Sequence, residues 1–164
     1  MMILNYTAQT TRLALALGLA GIGLSTAKAD RRFEAKGNEF DLTGRLVGDQ
    51  VGTRVAMGSE GGYLVWQDNA TDEFGLGISA LRIDVAGNPV GAPVRINSLL
   101  AGDQENPRVG VLKSGGAIFA WEGGASGFHR VHYRVTNAQG LFLGEDRYVT
   151  GPESGEQVEP ALAV

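Results

Sequence analysis

Gly48-Asp49-Gln50 decides how this chain is read, because it returns as Gly102-Asp103-Gln104 and again as Gly155-Glu156-Gln157. The three glutamines stand 54 and then 53 residues apart. A self-similar period of that size marks a repeat architecture in which each period is one supersecondary unit.

The flanks of the triplet repeat with it. Upstream, Phe40-Asp41-Leu42-Thr43 matches Val94-Arg95-Ile96-Asn97 and Arg147-Tyr148-Val149-Thr150. Each quartet alternates apolar with polar, the period of a half-buried strand. Downstream come Arg54-Val55-Ala56-Met57, Arg108-Val109-Gly110-Val111 and Ala161-Leu162-Ala163-Val164, whose third position is always small. A small side chain there allows close backbone approach on a crowded inner strand. Pro107 and Pro160 stand just before this strand, where a missing N–H does little harm. A Gly-Gly turn follows, Gly61-Gly62 and Gly115-Gly116, leading to Tyr63-Leu64-Val65-Trp66 and Ala117-Ile118-Phe119-Ala120-Trp121. This third strand is apolar on both faces and belongs between two layers. Its second copy is one residue longer, which predicts a bulge. The longest strand is expected over 78–85 and 130–136, with Leu81, Ile83 and Val85 on one face and Val131, Tyr133 and Val135 on the matching one.

Each unit thus reads as four short antiparallel strands, and a four-stranded unit of this length in tandem is the signature of β-propeller blades. The expected fold is all-β: two complete propeller-type blades plus partial end strands, occupying 39–164. A closed ring needs about four blades or more. The chain is therefore expected to be part of a longer repeat protein, to assemble with other copies, or to form an open stack. The first two are preferred, since exposed sheet edges invite pairing.

Residues 1–29 are set apart as a secretory signal peptide. Arg12 precedes an apolar run from Leu13 to Leu24, and Ala27-Lys28-Ala29 supplies the small residues of a cleavage site before Asp30. That run is too short to cross a bilayer, which takes about 20 apolar residues. The expected location is periplasmic or extracellular, with no membrane span once the leader is removed. Residues 30–38 read as a charged lead-in. The leader takes Arg12 and Lys28 from 14 basic residues, leaving 12 against 18 acidic ones and a net charge of −6. Such a balance, with no basic stripe, argues against nucleic acid as a partner. The chain has no cysteine, which excludes disulfides and thiolate chemistry.

The set Val94-Arg95-Ile96-Asn97, Gly102-Asp103-Gln104, Pro107, Gly115-Gly116 and Trp121 resembles the tandem repeats of large secreted bacterial proteins, among them multi-repeat adhesins and calcium-dependent exoproteins. The resemblance spans about 39–164 and implies a scaffold more than an activity. Glu60 and Ser114 depart from it, since many such repeats carry Asp before the Gly-Gly.

Candidate sites are few. Asp68, Asp72 and Glu73, in a polar loop before Gly75 and Gly77, are the ligands expected if calcium binds. A solvated polar loop is the preferred reading there. His129 and His132 fall on opposite faces of a strand, so a shared metal is not expected. Trp66 and Trp121 hold equivalent places and read as packing residues, with a sugar-stacking platform as the alternative. Asp49, Asp103 and Glu156 with their glutamines read as caps of backbone N–H groups. No catalytic set emerges. The expected function is a secreted, non-enzymatic β-repeat scaffold or binding module, incomplete alone. Its partners would be other copies or further repeats, or a carbohydrate or cell-surface ligand. The competing reading is a piece of a propeller enzyme acting on carbohydrate.

Overall fold

The computed structural model describes residues 39, 41–149 and 155–164. The leader, the lead-in, Phe40 and Thr150 lie outside the described residues. Among the described residues there is no helix, and the strands form two antiparallel four-stranded sheets. The first sheet runs in the order β1 (Gln50–Gly58), β2 (Gly61–Asp68), β3 (Gly77–Ile83), β4 (Val94–Arg95). The second repeats it with β5 (Asp103–Val111), β6 (Ala117–Gly124), β7 (Arg130–Val135) and β8 (Arg147–Tyr148). Neither sheet closes on itself.

Hydrophobic patterning explains the layering. β2 is apolar on both faces and is buried on both. Tyr63 and Val65 join Ile78, Ala80 and Ile96 against Ala117, Phe119 and Trp121 of the second sheet. Tyr63 meets Phe119 edge to face, with ring centroids 5.3 Å apart. The opposite face, Trp66 with Leu81 and Ile83, is covered by Leu42, Leu46 and Leu64. Trp66 and Trp121 are 2% and 1% exposed, which makes them packing residues and removes the sugar platform. Burying side chains of this size contributes about 1.5–3 kcal/mol each.

Register shows how the two units correspond. Gly58 pairs with Gly61 across a two-residue turn, whereas Val111 pairs with Ala117 across a longer one. The extra residue of the second unit therefore sits in the turn, and β6 carries no bulge. The bulges lie instead in β1, between Val51 and Arg54, and in β5, between Glu105 and Arg108. At each the backbone turns left-handed, with Gly52 at φ 66° and Asn106 at φ 51°. Glu159 repeats this at φ 55°, 53 residues after Asn106, so the third copy keeps the local shape. Pro107 and Pro160 follow and are buried.

Other expectations need correction. Asp41–Thr43 is not a strand: the Asp41 carboxylate accepts from the N–H groups of Thr43 and Gly44, both at 3.0 Å. Such a local turn competes with a ladder. The later quartets shrink to β4 and β8, although the N–H groups of Ile96 and Val149 still donate to Ile78 and Val131 C=O at 2.7 and 2.8 Å. Ala161–Val164 finds no partner strand among the described residues. The strands β3 and β7 are shorter than β1 and β5, and Val85 lies beyond β3, exposed. The faces also shift. Trp66 pairs with Ser79 and Trp121 with His132, so Leu81 corresponds to Arg134, while Val131 and Tyr133 correspond to Ile78 and Ala80 on the opposite face.

Candidate functional site

The triplet forms the joint between units, and glutamine does most of its bonding. Gln104 is buried, and its Nε2 donates to the Gly102 and Ala101 carbonyls at 2.7 and 3.3 Å. Gln50 does the same with Gly48 and Val47, at 2.7 and 3.0 Å. These side chains cap carbonyls, whereas the expectation was that they would serve N–H groups. Asp103 does serve one, accepting from Leu76 N–H at 3.0 Å. The joint then crosses between sheets. Gln104 N–H donates to Leu76 C=O at 2.8 Å, and Gln157 N–H donates to His129 C=O at 3.0 Å. Leu76 and His129 each stand just before the third strand of their own unit. Gln157 also accepts Val131 N–H at 3.2 Å through Oε1.

A second contact repeats beside the first. Gln67 Oε1 accepts Asn106 N–H at 2.9 Å, so a β2 side chain of one unit holds the bulge of the next. Glu122, paired opposite Glu105 in β6, holds the Asn106 amide at 3.0 Å and also accepts the N–H of Glu159. The third left-handed residue is therefore seated on the second sheet as the second is seated on the first. Neither Gln67 nor Glu122 was singled out by sequence, although their places next to Trp66 and Trp121 are equivalent.

Asn97 is the remaining hub, also missed. Its Oδ1 accepts Ile78 N–H at 2.9 Å, and its Nδ2 donates to Asp72 Oδ2 at 2.8 Å and Gln104 Oε1 at 2.9 Å. Nearby, Arg134 lies over the Phe142 ring, 3.8 Å from its centroid, and donates to Ile96 C=O at 2.7 Å. Asp146 accepts the N–H groups of Ser98 and Leu99 at 2.7 and 2.8 Å. Buried polar groups need such partners, and here the partners tie the inter-unit linker to the second sheet.

The three residues singled out for calcium fall into different surroundings. Asp68 is buried, with Oδ1 accepting Ala70 N–H, Thr71 N–H and the Thr71 hydroxyl, and Oδ2 accepting Trp66 Nε1–H at 3.2 Å. Burial pushes its carboxyl up, but hydrogen bonds from Ser79, Thr71 and Ala70 outweigh it and hold the group below the usual carboxylate range. Asp72 accepts from Phe74 N–H and Asn97, and Glu73 is exposed. Among the described residues, no three of His, Cys, Asp or Glu are grouped to hold a metal. His132 stacks on Trp121, with centroids 5.9 Å apart, and meets Tyr148 at 6.2 Å; His129 precedes β7.

The outward face of the second sheet completes the site. Ile118, Val131, Tyr133 and Val135 are half-buried, whereas the equivalent Tyr63, Ile78 and Ala80 of the first sheet are covered. Gly110 pairs with Ile118 and so shares this face. A Cβ on Gly110 would stand 2.8 Å from Val164 and 3.0 Å from Leu162. The small residue expected there is thus required by the third copy's approach. A comparison of the chain with protein-family models, curated proteins and solved structures finds no match.

Proposed function

We propose that this chain is an exported, non-enzymatic scaffold or binding module, built of propeller-type blades and completed by a further unit from a longer chain or another copy. The observation that carries this reading is the repeated joint. Gln157 bonds to the second unit at the place where Gln104 bonds to the first, and Glu159 docks on Glu122 as Asn106 docks on Gln67. Residues 157–164 are then the inner strand of a third blade, lying over a face that is only half covered. Export rests on the leader-like residues 1–29.

The test is to supply the missing strands. In register, Val164 corresponds to Val111, so a copy of residues 112–149 is appended after Val164. Hydrogen exchange is then followed at Leu162–Val164 and at Val131–Val135. Protection of both segments, with an increased stability, is the expected outcome. Appended residues that exchange as an unfolded tail, with both segments unchanged, would overturn the blade reading.

A further inference from the structure

Between the hairpin turns of the two sheets lies a cleft of about 640 Å3, lined by Glu60, Tyr63, Arg82, Lys113 and Ser114 with glycines around them. It exists only because the two units are joined: Glu60 and Arg82 come from the first sheet, Lys113 and Ser114 from the β5–β6 turn. Its size is that of a small-molecule site, about 300–1,000 Å3. The polar groups within it are unspent. Arg82 is half-buried, and among the described residues its guanidinium makes no hydrogen bond or ion pair. The Tyr63 hydroxyl is buried without a partner among the described residues. Both reach the same place, the turn at Gly140, where a Cβ would stand 3.2 Å from the hydroxyl and 4.0 Å from Arg82 Nη1. Gly58, Gly61, Gly62 and Gly115 line the cleft because their Cβ positions are taken up by the chain's own atoms, and Ser59, Glu60 and Ser114 offer hydroxyls and a carboxylate at the rim.

We propose that this cleft binds a sugar bearing a carboxylate, of the uronic acid type. A guanidinium is a planar fork matched to a carboxylate, and Lys113 adds a point charge from the β5–β6 turn. The chain as a whole is acidic, with a formal charge of −4, whereas this cleft gathers two cations against the one carboxylate of Glu60, a local reversal of charge. Glu60 and the serines suit the hydroxyls of a ring better than a second anionic group, which Glu60 would repel. The inference does not rest on the blade reading, because both walls of the cleft belong to the two sheets present.

Titration of the 15N-labelled full chain with glucuronate, with glucose and acetate in parallel, tests it. The amides of Gly61, Gly62 and Gly115 are the reporters. Saturable shifts with glucuronate, weakened roughly tenfold or more by Arg82→Gln and by a smaller factor by Lys113→Gln, are expected. Glucose binding as well as glucuronate overturns the role of the carboxylate, and acetate binding as well overturns the sugar. No saturation with glucuronate overturns the site. If Arg82→Gln disturbs amides far from the cleft, Lys113→Gln and added salt decide: weakening by both supports the proposal, and indifference to both overturns it.

Discussion

His132 is held between the rings of Trp121 and Tyr148, and its buried Nδ1 has no partner among the described residues. Burial pulls its pKa below the ordinary 6.5, against an opposing pull from Asp146 and the Gly123 backbone. The sign follows from linkage. In the window between the depressed folded value and 6.5, the unfolded chain binds the proton more readily. His132 therefore contributes stability above that window and loses it as pH falls through it. Urea midpoints measured between about pH 7.5 and pH 5 should fall in the parent chain across this range. In His132→Phe, which keeps the stack without the proton, that part of the decline should vanish; an unchanged slope would assign it elsewhere. Single residues of this kind were poorly legible in the sequence. Asn97, Gln67 and Glu122 look like ordinary polar positions beside a strand, and only their partners, up to 39 residues away, reveal them as hubs. Hydropathy carries no mark of which polar side chain will be buried with its bonds satisfied.

At the scale of elements, the left-handed bulge is the recurring device. Asn tolerates this conformation better than most residues, and glycine best. Asn106→Gly should therefore lose only the amide bond to Glu122. Asn106→Ala should lose that bond and also incur a backbone penalty of about 1–2 kcal/mol. Equilibrium urea unfolding of both variants gives the comparison: equal losses would show that the backbone at position 106 is unstrained. Strand existence was legible, since β2 and β6 announce themselves by apolar residues on both faces. Register was not. The additional residue of the second unit is absorbed by a turn, and periodicity cannot tell a lengthened turn from a bulge. The face assigned to Val131, Tyr133 and Val135 reversed for a separate reason: alternation groups these residues together but does not say which of them pairs with Trp121. The Asp41 segment failed for a different reason: its alternating pattern was strand-like, but its own carboxylate folded it into a turn.

For the molecule as a whole, the two sheets share one core, in which Trp121 and Phe119 of the second meet Tyr63 and Val65 of the first. Trp121→Ala should cost about 3–5 kcal/mol. Since the ring belongs to that shared core, the loss should appear in both sheets at once. Native-state hydrogen exchange on β2 and β6 distinguishes this from independent sheets, in which only β6 would lose protection. The period of the triplet forecast this tandem arrangement of sheets, because repetition is a property of the whole chain and survives local errors of register.

The paired contact at each joint has a consequence for how such chains can change length. Every unit offers an acceptor, Gln67 or Glu122, to the unit after it, and the second and third copies present a left-handed N–H, Asn106 or Glu159, to the unit before. Donor and acceptor are separated by less than one period, so a recombination event between equivalent codons duplicates or removes a matched set. A gene that gains or loses one period in this way leaves each remaining junction with both of its halves. The number of units is thus free to drift while the junction between neighbours stays the same.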